Sequence, residues 1–226
     1  VLGILLSSAT QSDLPGRVSV LLVELSFGLL PLTIFWVIIA GYIIGMGLPI
    51  VASYVILAIF AVGALTEFGV PSMAAHMISY WVAVVSAVTP PVALAAYAAS
   101  AISNADPVKT GFEALRLASM IFVMPFLFVY SPILLSGTVT EITMTTIACV
   151  LGVIAWAGCL EGYLIKKTLP IEKLILGVSA ACLLLPVAEL LAFIFDLKGN
   201  FDLQVYLAGG LILLGTVAWQ KARPTP

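Results

Sequence analysis

The sequence predicts an all-α integral membrane protein, a multi-span helical bundle containing a re-entrant helical hairpin and a discontinuous helix. Three observations predict it. Hydrophobic residues make up 62% of the 226 residues and charged ones only 9%, with a mean hydropathy of +1.22, far above an ordinary soluble domain. The apolar runs are continuous rather than alternating, which excludes a membrane β-barrel. Two of these runs are interrupted by helix breakers, Gly45-Met46-Gly47-Leu48-Pro49 and Ser86-Ala87-Val88-Thr89-Pro90-Pro91. Unpaired backbone in lipid costs several kcal/mol per group, so a break at that depth survives only where protein or a water-filled cavity shelters it. Paired interruptions of this kind point to the ion and substrate site of a secondary transporter.

The elements follow in order. Val1 opens inside an apolar run, with no initiating Met and no signal-peptide pattern. We therefore expect a fragment or trimmed product whose earlier helices are absent. Val1 to Ala9 reads as the end of a span, Asp13 to Arg17 as a polar turn, and Val18 to Leu25 as a short amphipathic helix. Phe27 to Ile44 and Ile50 to Ala64 are helical arms separated only by the uncharged GMGLP. The glycines open backbone angles closed to other residues, and Pro49 cannot donate a backbone bond. The second arm, about 22 Å long, is short for a crossing. A re-entrant hairpin with a sheltered tip fits better than two spans joined by a tight turn.

After a loop at Thr66 to Pro71, Met77 to Val88 and Val92 to Ser103 read as two half-helices of about 18 Å. Together they cross; alone neither does. Asp106 is a good N-cap and Pro107 a good first helical residue. Ala114–Leu135, Ile142–Leu164, Leu174–Leu197 and Leu203–Trp219 are each long enough to span. Lys109, Arg116, Lys166, Lys167, Lys173, Lys221 and Arg223 collect on one side of these crossings, against Arg17 and Lys198 on the other. That asymmetry puts the C-terminus in the cytoplasm.

The breaks carry the chemistry. Pro90 and Pro91 remove the usual donors to the Ser86 and Ala87 carbonyls, and Thr89 adds a hydroxyl oxygen. Neutral oxygens at mid-membrane suit a hard monovalent cation, with carbonyls around Gly45 to Gly47 completing the shell if the two breaks meet. A half-helix starting near Val92 would turn a positive dipole end toward an anionic solute. The plainer reading of Thr-Pro-Pro is a kink. The alanines that follow (Ala93, Ala95, Ala96, Ala98 and Ala99) suit closely approaching backbones and favour a packed site.

Glu24, Glu161 and Glu189 lie in or beside apolar stretches. Glu189 is the best candidate for a proton relay, although a packing role fits it equally. His76 reads as a wet interfacial residue. Cys149, Cys159 and Cys182 read as small core residues. The net charge of −2 offers no footprint for nucleic acid. No G-x-S-x-G, H-E-x-x-H or Walker A sequence is present, so neither an enzyme nor a cofactor is expected.

The blocks GMGLPIVASYVIL, FGVPSMAAH, SAVTPPVALAAYAASAISNADPVKTGFEALRL and MPFLFVYSPILL, in this order and spacing, resemble the large membrane subunit of TRAP transporters (DctM-like). The likeness is closest to the C-terminal portion of fused permeases, in which the small and large membrane subunits share one chain. It covers residues 1–135, while EGYL at Glu161 to Leu164 is similar to the extra helices of fused members.

The resemblance implies a second inverted repeat of a transport domain over 1–135, with a hairpin at about 27–64, a broken helix at about 77–103 and a following span at about 114–135. Residues 136–226 would be C-terminal transmembrane helices. It implies Na⁺-coupled, elevator-type import of a small organic acid or related solute, delivered by an extracytoplasmic binding protein, across a bacterial or archaeal cytoplasmic membrane. By the same resemblance Gly45, Met46, Gly47, Ser86, Thr89 and Pro90 would surround Na⁺. Thr89, Pro91, Val92 and Tyr97 would line the substrate path. The first repeat of the same permease would be a necessary partner. Proton coupling through Glu189 and a non-transporting scaffold are the rival expectations.

Overall fold

The computed structural model describes residues 3, 7–8, 11–185 and 202–223. In chain order the helices are α1 Leu14–Leu25, α2 Leu30–Gly45, α3 Ile50–Glu67, α4 Ser72–Ser86, α5 Leu94–Ser103, α6 Pro107–Leu117, α7 Met124–Tyr130, α8 Val139–Glu161, α9 Pro170–Leu184 and α10 Asp202–Ala222. Short 3-10 turns occupy Ala118–Phe122 and Pro132–Leu134. Among the described residues there is no strand, only an isolated bridge between Tyr163 and Lys167. The segments Ile50–Glu67, Pro107–Tyr130, Val139–Glu161 and Leu203–Ala222 are long and apolar enough to cross a membrane. The chain is an all-α membrane bundle, divided into two compact units, Val1–Val129 and Tyr130–Pro226. The expected span over Val1 to Ala9 falls largely outside the described residues, as do Glu189 and Lys198.

In the first unit, α2 and α3 form the hairpin and α4 packs against both. Lipid tails are as apolar as leucine, so helix association here depends on close packing rather than on escape from water. Small residues supply it: Ala61, Ala64, Ala75 and Ala83 are completely buried, beside Ile34, Val37, Leu57 and Ile78. The α1 helix, which begins at Leu14 rather than after a turn, is pinned to the hairpin by two side chains. Ser19 donates to the Phe60 carbonyl at 2.7 Å, and the Trp36 indole donates to the Leu25 carbonyl at 3.1 Å.

The second arm is longer than the sequence suggests. It continues past Ala64 to Glu67, giving 18 residues, or about 27 Å. Thr66 lies inside this helix, its hydroxyl donating back to the carbonyls of Val62 and Gly63, at 2.8 and 3.0 Å. Arm length therefore does not argue against a full crossing, and re-entrancy rests on the chemistry of the turn.

The stretch read as a single span from Ala114 to Leu135 is not one continuous α-helix. It gives way to the 3-10 turn Ala118–Phe122 and resumes at Met124, just ahead of Pro125, which has no N–H to give the Ile121 carbonyl four residues earlier. The Trp81 indole of α4 takes that place, donating to the Ile121 carbonyl at 3.1 Å. The ring also stands edge-on to Phe128, with centroids 5.6 Å apart. Upstream, Asp106 caps α6 by accepting the Lys109 N–H at 2.9 Å, and Pro107 opens the helix as its sequence indicates.

In the second unit α8, α9 and α10 pack together. Thr138 and Glu141 form a reciprocal capping box at the start of α8. Ser179 ties α9 to α10 by donating to the Gly209 carbonyl at 2.8 Å. At the other end, Glu172 is buried and accepts from the Leu169 N–H at 2.9 Å, from Gln220 at 2.9 Å and from Arg223 at 3.1 Å. Burial pushes its pKa up. The Leu169 and Gln220 hydrogen bonds and the Arg223 charge outweigh that and hold the carboxyl below its usual value.

Two outcomes follow. Trp81→Phe keeps the packing on Phe128 but orphans the Ile121 carbonyl. We expect it to lower the stability of the purified protein by about 1–3 kcal/mol, read in chemical unfolding. An unchanged midpoint would mean that another group serves that carbonyl. Because the folded pKa of Glu172 lies below its unfolded value, its stabilisation is complete above the ordinary carboxylate pKa, about 4.3, and is lost as pH falls through the folded value. Glu172→Gln should therefore flatten the acid limb of a melting-temperature profile, and an identical limb would contradict the linkage.

Candidate ion site at the two breaks

The hairpin turn is built on Gly45 and Gly47. Gly45, the last residue of α2, is buried against Ser86, the last residue of α4. A β-carbon at Gly45 would overlap the Ser86 hydroxyl and lie 2.5 Å from the Ser86 Cβ, with the Ser53 Oγ 3.9 Å away. No side chain fits there. Gly47 has a φ of +157°, which side-chain-bearing residues rarely adopt, and its N–H closes back on the Gly45 carbonyl at 2.9 Å. Met46 is half-buried, while Gly47 and Pro49 are exposed on this chain. The expectation of a sheltered tip thus holds for Gly45 and not for the outer part of the turn.

The second break is wider than the sequence indicates. α4 stops at Ser86 and α5 begins at Leu94, not Val92, because Ala93 adopts a left-handed φ of 34°. Nor is every freed carbonyl left idle. The Ala87 carbonyl, expected to lack a donor, accepts from the Ala95 N–H at 3.1 Å across the break. The Tyr42 hydroxyl, reaching over from α2, donates to the Pro90 carbonyl at 3.4 Å, and the Tyr97 hydroxyl donates to the Pro91 carbonyl at 2.8 Å. The first-turn N–H of Ala95 is thereby spent on the break itself, which weakens the expected positive end of α5 as an anion seat. Val92 and Tyr97 are half-buried and Pro91 is exposed; Tyr97 braces the break through its hydroxyl.

The remaining oxygens are arranged differently. Ser86 and Thr89 are buried, and each hydroxyl gives its proton to a carbonyl one turn back. Ser86 donates to Ala83 and Thr89 to Val85, both at 2.7 Å. A hydroxyl whose proton is committed turns its lone pairs elsewhere, as a cation ligand must. Ser53, buried at the start of α3, behaves similarly, donating to the Leu48 carbonyl at 3.4 Å. Sequence reading missed Ser53 and Tyr42. Ser53 lies on the hairpin's second arm, one helical turn past the break, and Tyr42 meets its partner 48 residues away in sequence.

No group of His, Cys, Asp or Glu residues among the described residues is suited to a transition metal or Ca²⁺. The arrangement offers neutral oxygens only, which suits a hard monovalent cation. Of the other ionisable residues singled out, Glu24 and Glu161 are exposed. His76 is half-buried and shares a 3.2 Å hydrogen bond with Tyr54.

The Gly45–Ser86 contact is directly testable. Gly45→Ala should destabilise the protein by about 1–3 kcal/mol through overpacking. Removing the opposing group in Gly45→Ala/Ser86→Gly should recover part of that loss, a positive coupling in a double-mutant cycle. Strict additivity would separate the two residues.

Comparison with known families places these features. A family profile described as the tripartite ATP-independent periplasmic transporter DctM component matches residues 2–143, which include both breaks, α6 and α7. No curated protein and no solved structure matches the chain. The matched family is a transport component rather than an enzyme, and it works beside a solute-binding protein and a small membrane subunit. With the match covering more than half of its residues, the chain belongs to the DctM family of tripartite ATP-independent periplasmic transporter membrane components.

Proposed function

We propose that this chain carries the second half of the transport domain of a fused TRAP-type permease. It would import a small, anionic organic solute together with Na⁺, the solute being handed over by an extracytoplasmic binding protein. The observation that carries this reading is the apposition of Gly45 and Ser86, which sets a helix-end turn against the end of a broken helix. The hydroxyls of Ser53, Ser86 and Thr89 and the unwound backbone from Gly45 to Gly47 supply uncharged oxygens there. Na⁺ is the coupling ion and a transported species in this scheme, not a resident cofactor. The helix break at Pro90 and Pro91 and the close-packed alanines of α3 and α4 support a rigid transport body that moves as a unit against a scaffold, as in an elevator.

The asymmetry of Lys and Arg residues supports a cytoplasmic C-terminus, which puts the Phe68–Pro71 turn on the outer side. The first inverted repeat of the same permease would complete the solute site. Specificity would then be shared between that repeat, the binding protein and the segment from Thr89 to Tyr97.

The test uses the full-length permease in proteoliposomes with its binding protein. Thr89→Ala and Ser86→Ala each remove one oxygen ligand and should raise the Na⁺ concentration for half-maximal uptake roughly tenfold, equivalent to about 1.4 kcal/mol, while the protein stays folded. Uptake that follows a pH gradient and ignores Na⁺ would favour the proton-coupled reading. Folded variants with wild-type Na⁺ dependence would leave both breaks as kinks.

A further inference from the structure

We propose that one end of the second unit is a binding site for the phosphate of an anionic membrane phospholipid. The site is formed by the Gly162–Leu169 loop, the start of α9 and the end of α10. It is independent of the ion site and of the transport reading.

A buried polar knot brings these pieces together. Gln220, fully buried near the end of α10, accepts the backbone N–H groups of Ile165 and Lys166 at 3.2 and 3.4 Å and donates to Glu172 on α9 at 2.9 Å. Arg223 bonds Glu172 at 3.1 Å and the Lys167 carbonyl at 2.7 Å. Lys166 donates to the Arg223 carbonyl. The knot fixes the loop against both helix ends and uses its one buried carboxylate on Arg223.

The surface around the knot is left strongly positive. Lys167, Lys173 and Lys221 are exposed and have no ion-pair partner among the described residues. The Lys166 ammonium donates to a neutral carbonyl, and Glu161 is the sole further acid at this end among the described residues. The Lys173 ammonium lies over Gly162, where an added β-carbon would be 2.8 Å from its Nζ and 3.6 Å from the Thr168 Oγ1. Thr168 is 7% exposed, and its hydroxyl has no hydrogen-bond partner. An orphaned hydroxyl and an exposed ammonium flanking the same glycine make a seat for an oxyanion, since one phosphate can satisfy both.

Depth selects the source of that phosphate. Glu161 ends one membrane-length helix and Ala222 ends another, so the cations stand at headgroup level. Tyr163, Leu169, Ile171 and Leu174 are exposed beside them, giving acyl chains a surface next to the charges. Interfacial tyrosine and basic pockets between helix ends are the features that hold acidic lipids.

The test measures lipid binding to the purified full-length permease by native mass spectrometry, titrating phosphatidylglycerol and phosphatidylcholine separately. Phosphatidylglycerol should bind preferentially. Each lysine removed should weaken it about fivefold, and Lys167→Gln/Lys173→Gln together about 25-fold. Lys109→Gln, in the other unit, should change nothing. Inorganic phosphate should not displace the lipid. Equal binding of both lipids, or a folded double variant with wild-type affinity, would overturn the proposal. Displacement by inorganic phosphate would do the same, by exposing a plain anion site.

Discussion

A backbone carbonyl freed inside a membrane has no water to turn to, and this requirement governs the first unit of the chain. Proline interrupts the helices in two places there, and at each a particular group answers for the loss. Trp81 serves the Ile121 carbonyl opposite Pro125. Tyr42 and Tyr97 serve Pro90 and Pro91, and the Ala95 N–H serves Ala87. These long, amphipathic donors reach across from neighbouring helices, which is how broken helices remain affordable at depth. Satisfying most of the carbonyls also concentrates what is left over. The hydroxyls of Ser86 and Ser53, whose protons are spent locally, lie beside Gly45, and that of Thr89 is buried within the break.

Close packing makes that concentration possible. Gly45 admits Ser86 because it has no β-carbon, and the buried alanines of α3 and α4 let the hairpin and the broken helix lie side by side. The site is therefore as rigid as its surroundings. The second unit meets the same requirement differently, by burying an ion pair and a glutamine where its helices end.

Much of this was legible in the sequence, and the reasons are local. Continuous apolar runs announce membrane helices, Asp106-Pro107 announces a helix start, and Gly-Met-Gly-Leu-Pro and Thr-Pro-Pro announce breaks, because capping and proline chemistry act within a few residues. What was not legible depended on contacts made across the chain. α5 starts late because Ala93 turns left-handed to carry the chain out of Pro90–Pro91. The span after Ala114 splits just ahead of a proline whose effect is obvious in isolation but whose repair by Trp81, 40 residues earlier, is not. Ser53, Tyr42 and the Gln220–Glu172 pair belong to the same class: ordinary residues whose role exists only in three dimensions.

The account stands on a monovalent cation being held between the Gly45 turn and the Ser86–Thr89 break. Anomalous diffraction from crystals of the full-length permease grown with Tl⁺ in place of Na⁺ tests this most directly. A difference peak within coordination distance of the Ser86 and Thr89 oxygens, diminished when Na⁺ is restored, is the predicted result. Peaks elsewhere in the protein, with none between these two segments, would contradict it.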